Sequence, residues 1–168
     1  MEINQVPAPH LDERPTGCCP RFHPEEWADQ ELKFVEKPFV RASTISFFHI
    51  PMNMDSVFTR TLAAIERAHA GGQGQLVLSH DTSNWHADHL FAVDEAVPGA
   101  EMVHLTGTFL TKVFEGSFDQ MPVWCTELER YIQEKGRKLE DSYFYYTTCP
   151  RCAKVHGKNY VVGVAKVS

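Results

Sequence analysis

Apolar and polar positions change rhythm several times along the chain, and each change marks an element. From Phe39, FVRASTISFFHI is rich in β-branched and aromatic residues, which suit a pleated, half-buried surface, and it predicts a strand ending near Pro51. Phe58, Leu62 and Ile65 then recur at spacings of four and three, the apolar face of a helix that Asp55 would cap and the Gly71-Gly72 pair would stop. GQLVLS and HLFAVDEAV read as two further strands, joined by the turn-forming segment His80 to Asn84. The order then repeats. MVHLTGTFLTKVFEG is strand-like; a helix follows with Pro122 near its first turn, Trp124, Leu128 and Tyr131 on one face and Gly136 as its stop; DSYFYYTT and NYVVGVAKV supply two last strands. Phe48 and Phe114, Phe58 and Trp124, Leu62 and Leu128, and Ile65 and Tyr131 each stand 66 residues apart. That offset predicts an internal duplication of a strand-helix-strand-strand unit. Two such units predict an α+β fold, one antiparallel sheet with two helices on one face and the opposite face open to a ligand.

The amino-terminal segment breaks the rhythm. Residues 1–37 hold five of the ten prolines and little periodicity, so they predict an irregular arm, with one domain over 38–168 divided into repeat one, 38–98, and repeat two, 99–168. A chain of 168 residues is enough for one such domain and too short for a large multidomain enzyme. Its net charge of −6 provides no basic field to gather phosphates, so nucleic acid is not an expected partner. The acidity lies early: residues 1–100 carry 7 basic and 14 acidic groups. No run approaches the roughly 18 apolar residues of a membrane span, and the first residues have neither a basic nor an apolar leader region, so a soluble, cytoplasmic protein is expected.

The duplicated unit, with an aromatic strand passing into KVFEGSFDQMPVWCTELERYIQEKG, resembles the gyrase-inhibitor-like (GyrI-like) small-molecule-binding domains over residues 38–168. The resemblance implies a site in the groove between the repeats that takes aromatic, often cationic molecules. It also implies that hydrolysis of electrophilic, cyclopropane-containing toxins is within the family's range. Family sites commonly place a carboxylate on a late strand of the second repeat, and here that strand reads YFYYTT, without an acid. No DNA-binding helix-turn-helix precedes Phe39.

Five cysteines add a different chemistry. Cys149-Pro150-Arg151-Cys152 has the spacing with which a tight turn presents two thiolates to a tetrahedral metal, and Cys18 with Cys19 offers a second pair of sulfurs. A structural zinc ion on these four residues, with His156 and His23 in reserve, would fasten the arm to the last hairpin and contribute binding energy as folding energy. Two other readings stay open: free thiols in a reducing cytosol, and a redox pair activated by Arg151, Lys154 and Lys158. Cys125, inside the second helix, reads as a small buried apolar residue.

The same offset of 66 pairs His49 with Glu115, each one residue beyond its phenylalanine. Such a pair has the chemistry of general acid-base catalysis, with Glu115 activating water and His49 assisting proton transfer. Tyr143 and Tyr145 share one face of their strand, and Trp85 stands in a polar, turn-bearing segment; these three are expected to grip an aromatic ligand. His80 to His89 crowds three histidines and two aspartates together but matches no metal-helix signature, so it predicts a solvated hairpin connection. No G-x-S-x-G elbow or phosphate loop is present. The expected function is binding of a small aromatic, cationic or electrophilic molecule, with its hydrolysis left open; the alternatives are a zinc-stabilised interaction module without turnover and a thiol redox protein. The oligomeric state is open.

Overall fold

A computed structural model describes residues 2–10, 12, 20–47, 50–71, 76–81, 83, 85–147 and 159–168. Its elements are a short helix α1 (Pro24–Trp27), strands β1 (Glu31–Phe47) and β2 (Ile50–Pro51), helix α2 (Met54–Arg67), strands β3 (Val77–Asp81), β4 (His86–Ala92) and β5 (Glu101–Glu115), a 3-10 turn at Phe118–Gln120, helix α3 (Met121–Glu134), and strands β6 (Leu139–Tyr146) and β7 (Tyr160–Val167).

The expected open sheet with two helices on one face is overturned. The hydrogen-bonded order β2-β1-β4-β3-β6-β7-β5 closes through a further β1–β5 pairing, so the strands do not make an open sheet. The reason lies at the start of β1. This strand begins at Glu31, well before the β-branched run at Phe39, because ELKF already alternates: Leu32 and Phe34 are buried while Glu31 and Lys33 are exposed. At Glu36 the backbone turns to φ 48, and beyond it the buried positions shift phase to Lys37 and Phe39. The Glu36 N–H donates to Thr106 Oγ1 at 2.9 Å, and the Thr106 hydroxyl donates back to Glu36 Oε1 at 3.2 Å. A strand of 17 residues has length enough to be paired on both sides, and a sheet so paired has no edge to expose.

The chain divides into two compact units, one of residues Met1–Phe34 with Gly107–Ser168 and the other of Val35–Thr106. In the first, β7 pairs antiparallel with β5 on one side and β6 on the other, so that Val162 stands between Val113 and Tyr145. Helix α3 covers one face of that sheet, where Leu110, Phe114, Trp124, Leu128, Ile132, Phe144, Val161 and Ala165 form the core. The helix comes so near that a Cβ on Gly163 would lie 3.0 Å from Leu128 Cδ2. In the second unit β4 pairs with β1 and β3, and His89 stands between Ala42 and Ser79. Val40, Ile65, Phe91 and Val93 make its core, with Phe58 of α2 packed against them.

The two longer helices correspond bound for bound at an offset of 67, Met54–Arg67 with Met121–Glu134. Their buried faces follow: Val57, Thr61 and Ile65 in α2, Trp124, Leu128 and Ile132 in α3. The apolar match at 66 is thus one residue out of phase, about 100° around a helix, and Leu62, its supposed core member, is 37% exposed while Leu128 is 1% exposed. Helix α2 also starts and stops away from the expected residues. Asn53 is the N-cap with Asp55 in the first turn, and the helix ends at Arg67, before the glycine pair, with Ala68 as its C-cap and His69 at φ 52 beyond it.

Candidate functional site

In the first unit, side chains alternate between the two faces of each strand. Phe114 of β5, Phe144 of β6 and Val161 of β7 point at α3. Their neighbours Glu115, Tyr143, Tyr145 and Tyr160 therefore share the other face, and Glu115 stands directly opposite Tyr160 in the ladder. Three residues expected to serve a ligand, Glu115, Tyr143 and Tyr145, thus come onto one surface. Glu115 is exposed, and Tyr145 and Tyr160 are half-buried. Tyr143 lies deeper, 7% exposed, with its ring 6.3 Å from that of Phe109.

The Tyr143 hydroxyl donates to Asp141 Oδ2 at 3.2 Å. Burial, with the neighbouring Asp141 carboxylate, pushes this phenol up to about 12. At neutral pH it is a hydrogen-bond donor and never a phenolate. Asp141 supplies on the same strand an acid that the YFYYTT stretch itself does not contain.

Part of the amino-terminal segment lies across this face. The hydroxyl of buried Thr111 donates to the main-chain oxygen of Trp27, and the Gln30 N–H donates to the same hydroxyl at 3.1 Å. The Thr111 N–H donates to Gln30 O at 3.0 Å. Asp29, at φ 53, accepts from the Tyr131 hydroxyl at 2.5 Å and from Lys135 Nζ at 2.7 Å. Held this way, Trp27 is 5% exposed and meets Tyr145 edge-on at 5.2 Å. Trp27 was not among the expected site residues. Its only sequence signal was a tryptophan one turn after a proline, set in a segment whose prolines argued against any element.

The remaining expected residues fall elsewhere. Trp85 belongs to the second unit, is 48% exposed, and meets Phe47 edge-on at 5.4 Å. His49, Cys18, Cys19, Cys149, Cys152 and His156 lie outside the described residues, and so does any zinc site built on them. Among the described residues no group of three or more His, Cys, Asp or Glu is placed to hold a metal ion. The His23 ring lies 4.0 Å from that of His10, tilted at 46°, with its Nδ1 3.3 Å from Glu25 Oε1. Cys125 is exposed on α3, against the buried position expected of it, because the helix turns its Trp124-Leu128-Ile132 face inward and not its neighbour.

The crowded histidine segment also holds a residue that is not solvated. His89 is 1% exposed, within hydrogen-bond reach of Thr44 Oγ1 through Nε2 at 2.9 Å and of Ser79 Oγ through Nδ1 at 2.8 Å. Phe58 of α2 closes over it at 5.0 Å. Burial pushes its imidazole down to about 4, against the opposing pull of Asp81 and Asp88. It is a neutral part of the second unit's packing and has no open side for a substrate.

A family model described as "Bacterial hydrolase" matches residues 10–167. Among solved structures, a hydrolase from Listeria innocua is similar at a TM-score of 0.59 and 11% identity, over 84% of this chain and 92% of that one. The EcmrR C-terminal domain is similar at 0.56 and 14%, over 84% and 96%. SAV2435, solved bound to tetraphenylphosphonium, is similar at 0.50 and 12%, over 83% and 93%. No curated protein matches the chain. Among the described residues no helix is long and apolar enough to cross a membrane.

Proposed function

The chain belongs to the bacterial hydrolase family and has the GyrI-like fold, and from these premises we propose that the face bearing Glu115 and the tyrosines binds a small aromatic, cationic or electrophilic molecule and hydrolyses it. The observation that carries the reading is the common face. Glu115, Tyr145 and Tyr160 are accessible, together with Val113 and Lys166, on the side of the β6-β7-β5 sheet that α3 leaves uncovered. Aromatic ring faces attract a cation by about 0.5–2 kcal/mol each, and an exposed carboxylate beside them adds complementary charge. One solved neighbour is bound to an aromatic cation, tetraphenylphosphonium, and another is described as a hydrolase.

In the proposed reaction the Glu115 carboxylate takes one proton from a water molecule while that oxygen attacks the electrophilic carbon of the bound ligand. A carbon–oxygen bond forms, the bond to the leaving atom breaks, and the proton passes from Glu115 to the leaving atom. Tyr143, its hydroxyl donating to Asp141, contributes the buried floor of the same face. His49, expected to assist proton transfer, carries no step of this proposal.

Glu115→Gln tests it. The amide keeps the shape and loses the base, so turnover of an electrophilic aromatic substrate is expected to fall by about 10²–10⁴ with the substrate's dissociation constant changed far less. Unchanged turnover would reject Glu115 as the base.

A further inference from the structure

Resting on the ligand face just described, we infer that the amino-terminal segment supplies that site's second wall and sets its preference for aromatic rings, with Phe22 as the specificity-determining residue. The segment is placed as a fixture and not as a tail. Its main chain is hydrogen-bonded to Thr111 of β5 through Trp27 and Gln30, and Asp29 ties it to Tyr131 and Lys135 of α3. Six residues before Gln30 begins helix α1, and just before that stands Phe22.

The Phe22 ring lies 5.5 Å from Tyr160, tilted at 45°, and 6.4 Å from Tyr145, edge-on. These spacings are those of favourable aromatic pairs. All three rings are half-buried, so each keeps surface available to a ligand, whereas Trp27 behind them is 5% exposed and serves as backing. A third aromatic surface set against two tyrosines gains most from a flat or aryl-bearing ligand, which can meet several ring faces or edges at once. An aliphatic ligand of equal charge and bulk gains only burial.

The segment also brings charge. Glu25 and Glu26 open α1, and their side chains are 70% and 39% exposed. Their described polar contacts are to the His23 and His10 imidazoles.

The experiment compares two cations of similar size, tetraphenylphosphonium and tetrabutylammonium, by calorimetric titration of the full chain and of Phe22→Ala, Phe22→Leu and Tyr145→Ala. The wild type is expected to bind the aryl cation at least tenfold more tightly than the alkyl one. Phe22→Ala and Phe22→Leu should each lose about 5–20-fold in affinity for tetraphenylphosphonium and less than twofold for tetrabutylammonium, in proportion to one ring's contribution. Phe22→Leu keeps the apolar bulk, so it guards against a loss caused by loosening of the segment, which circular dichroism and thermal melting would register. An unchanged aryl-to-alkyl ratio in both Phe22 variants, with Tyr145→Ala binding weakly, overturns the inference and leaves the ligand face intact. Tighter binding in Phe22→Ala also overturns it, because the segment would then be a plug. Failure of the wild type to bind either cation overturns the ligand face and this inference with it.

Discussion

His89 sits between two hydroxyls under a phenylalanine ring, and its chemistry follows from having no water to turn to. A neutral imidazole offers one donor and one acceptor, which Thr44 and Ser79 can complement, whereas an imidazolium would have to be desolvated. With the folded value near 4 and the unfolded value near 6.5, the unfolded chain takes up a proton in that window that the folded chain refuses. The associated stability is fully present above about pH 6.5 and is lost progressively as the pH falls toward 4. Denaturant unfolding at pH 7 and pH 5 should show the wild type losing stability, while His89→Gln, weaker at pH 7 by about 1–3 kcal/mol, loses less on acidification. An identical pH dependence in both would remove His89 as the cause. The sequence contained this residue in a segment read as a solvated turn. The composition was right for a turn, and only the strand register, which sets His89 beside Ser79 and on the same side as Phe91, places it inside.

Helices α2 and α3 finish in the same way with different residues. In α3 the C-cap is Lys135, and the N–H groups of Gly136 and Arg137 donate back to Gln133 O at 2.9 Å and Ile132 O at 3.1 Å, with Gly136 at φ 70. In α2 the N–H groups of His69 and Ala70 donate to Glu66 O at 3.0 Å and Ile65 O at 3.2 Å, with His69 at φ 52. Both are the Schellman closure, whose left-handed residue is ordinarily glycine because a Cβ is crowded there. His69→Gly should therefore raise the stability of the chain by about 0.5–1 kcal/mol, read as a higher melting temperature, whereas Gly136→Ala should lower it. No change on His69→Gly would mean that the histidine side chain offsets its backbone cost through contacts of its own. The elements were legible in the sequence because apolar period, turn residues and β-branched runs agree. Their phase was not, since Leu62 and Tyr131 gave an equally good apolar match at 66, and the helix bounds and buried faces set it at 67. Strand β1 was legible from Phe39 onward; the earlier part was hidden by Pro38 and by the phase shift at Glu36.

At the scale of the whole molecule, that hidden start decides the architecture. A first strand beginning at Phe39 suggests an open sheet, whereas one beginning at Glu31 is flanked by both β4 and β5, and the ladder closes. The ligand face was partly legible in the same way. Period two was enough to put Tyr143 and Tyr145 together, but Glu115 and Tyr160 join them only through the register of β5 and β6 on β7. The contribution of residues 20–30 was not legible, since five prolines in the first 37 residues speak against regular structure and say nothing of what an irregular segment can cover. Trp85, equally plausible by composition, pairs with Phe47 in the second unit.

The most direct test is a crystal structure of the chain with tetraphenylphosphonium. The account predicts the cation against Tyr145 and Tyr160, its charged centre within about 6 Å of a ring centroid and facing Glu115. A cation seated on Trp85 and Phe47, with the Tyr145 face empty, would contradict it.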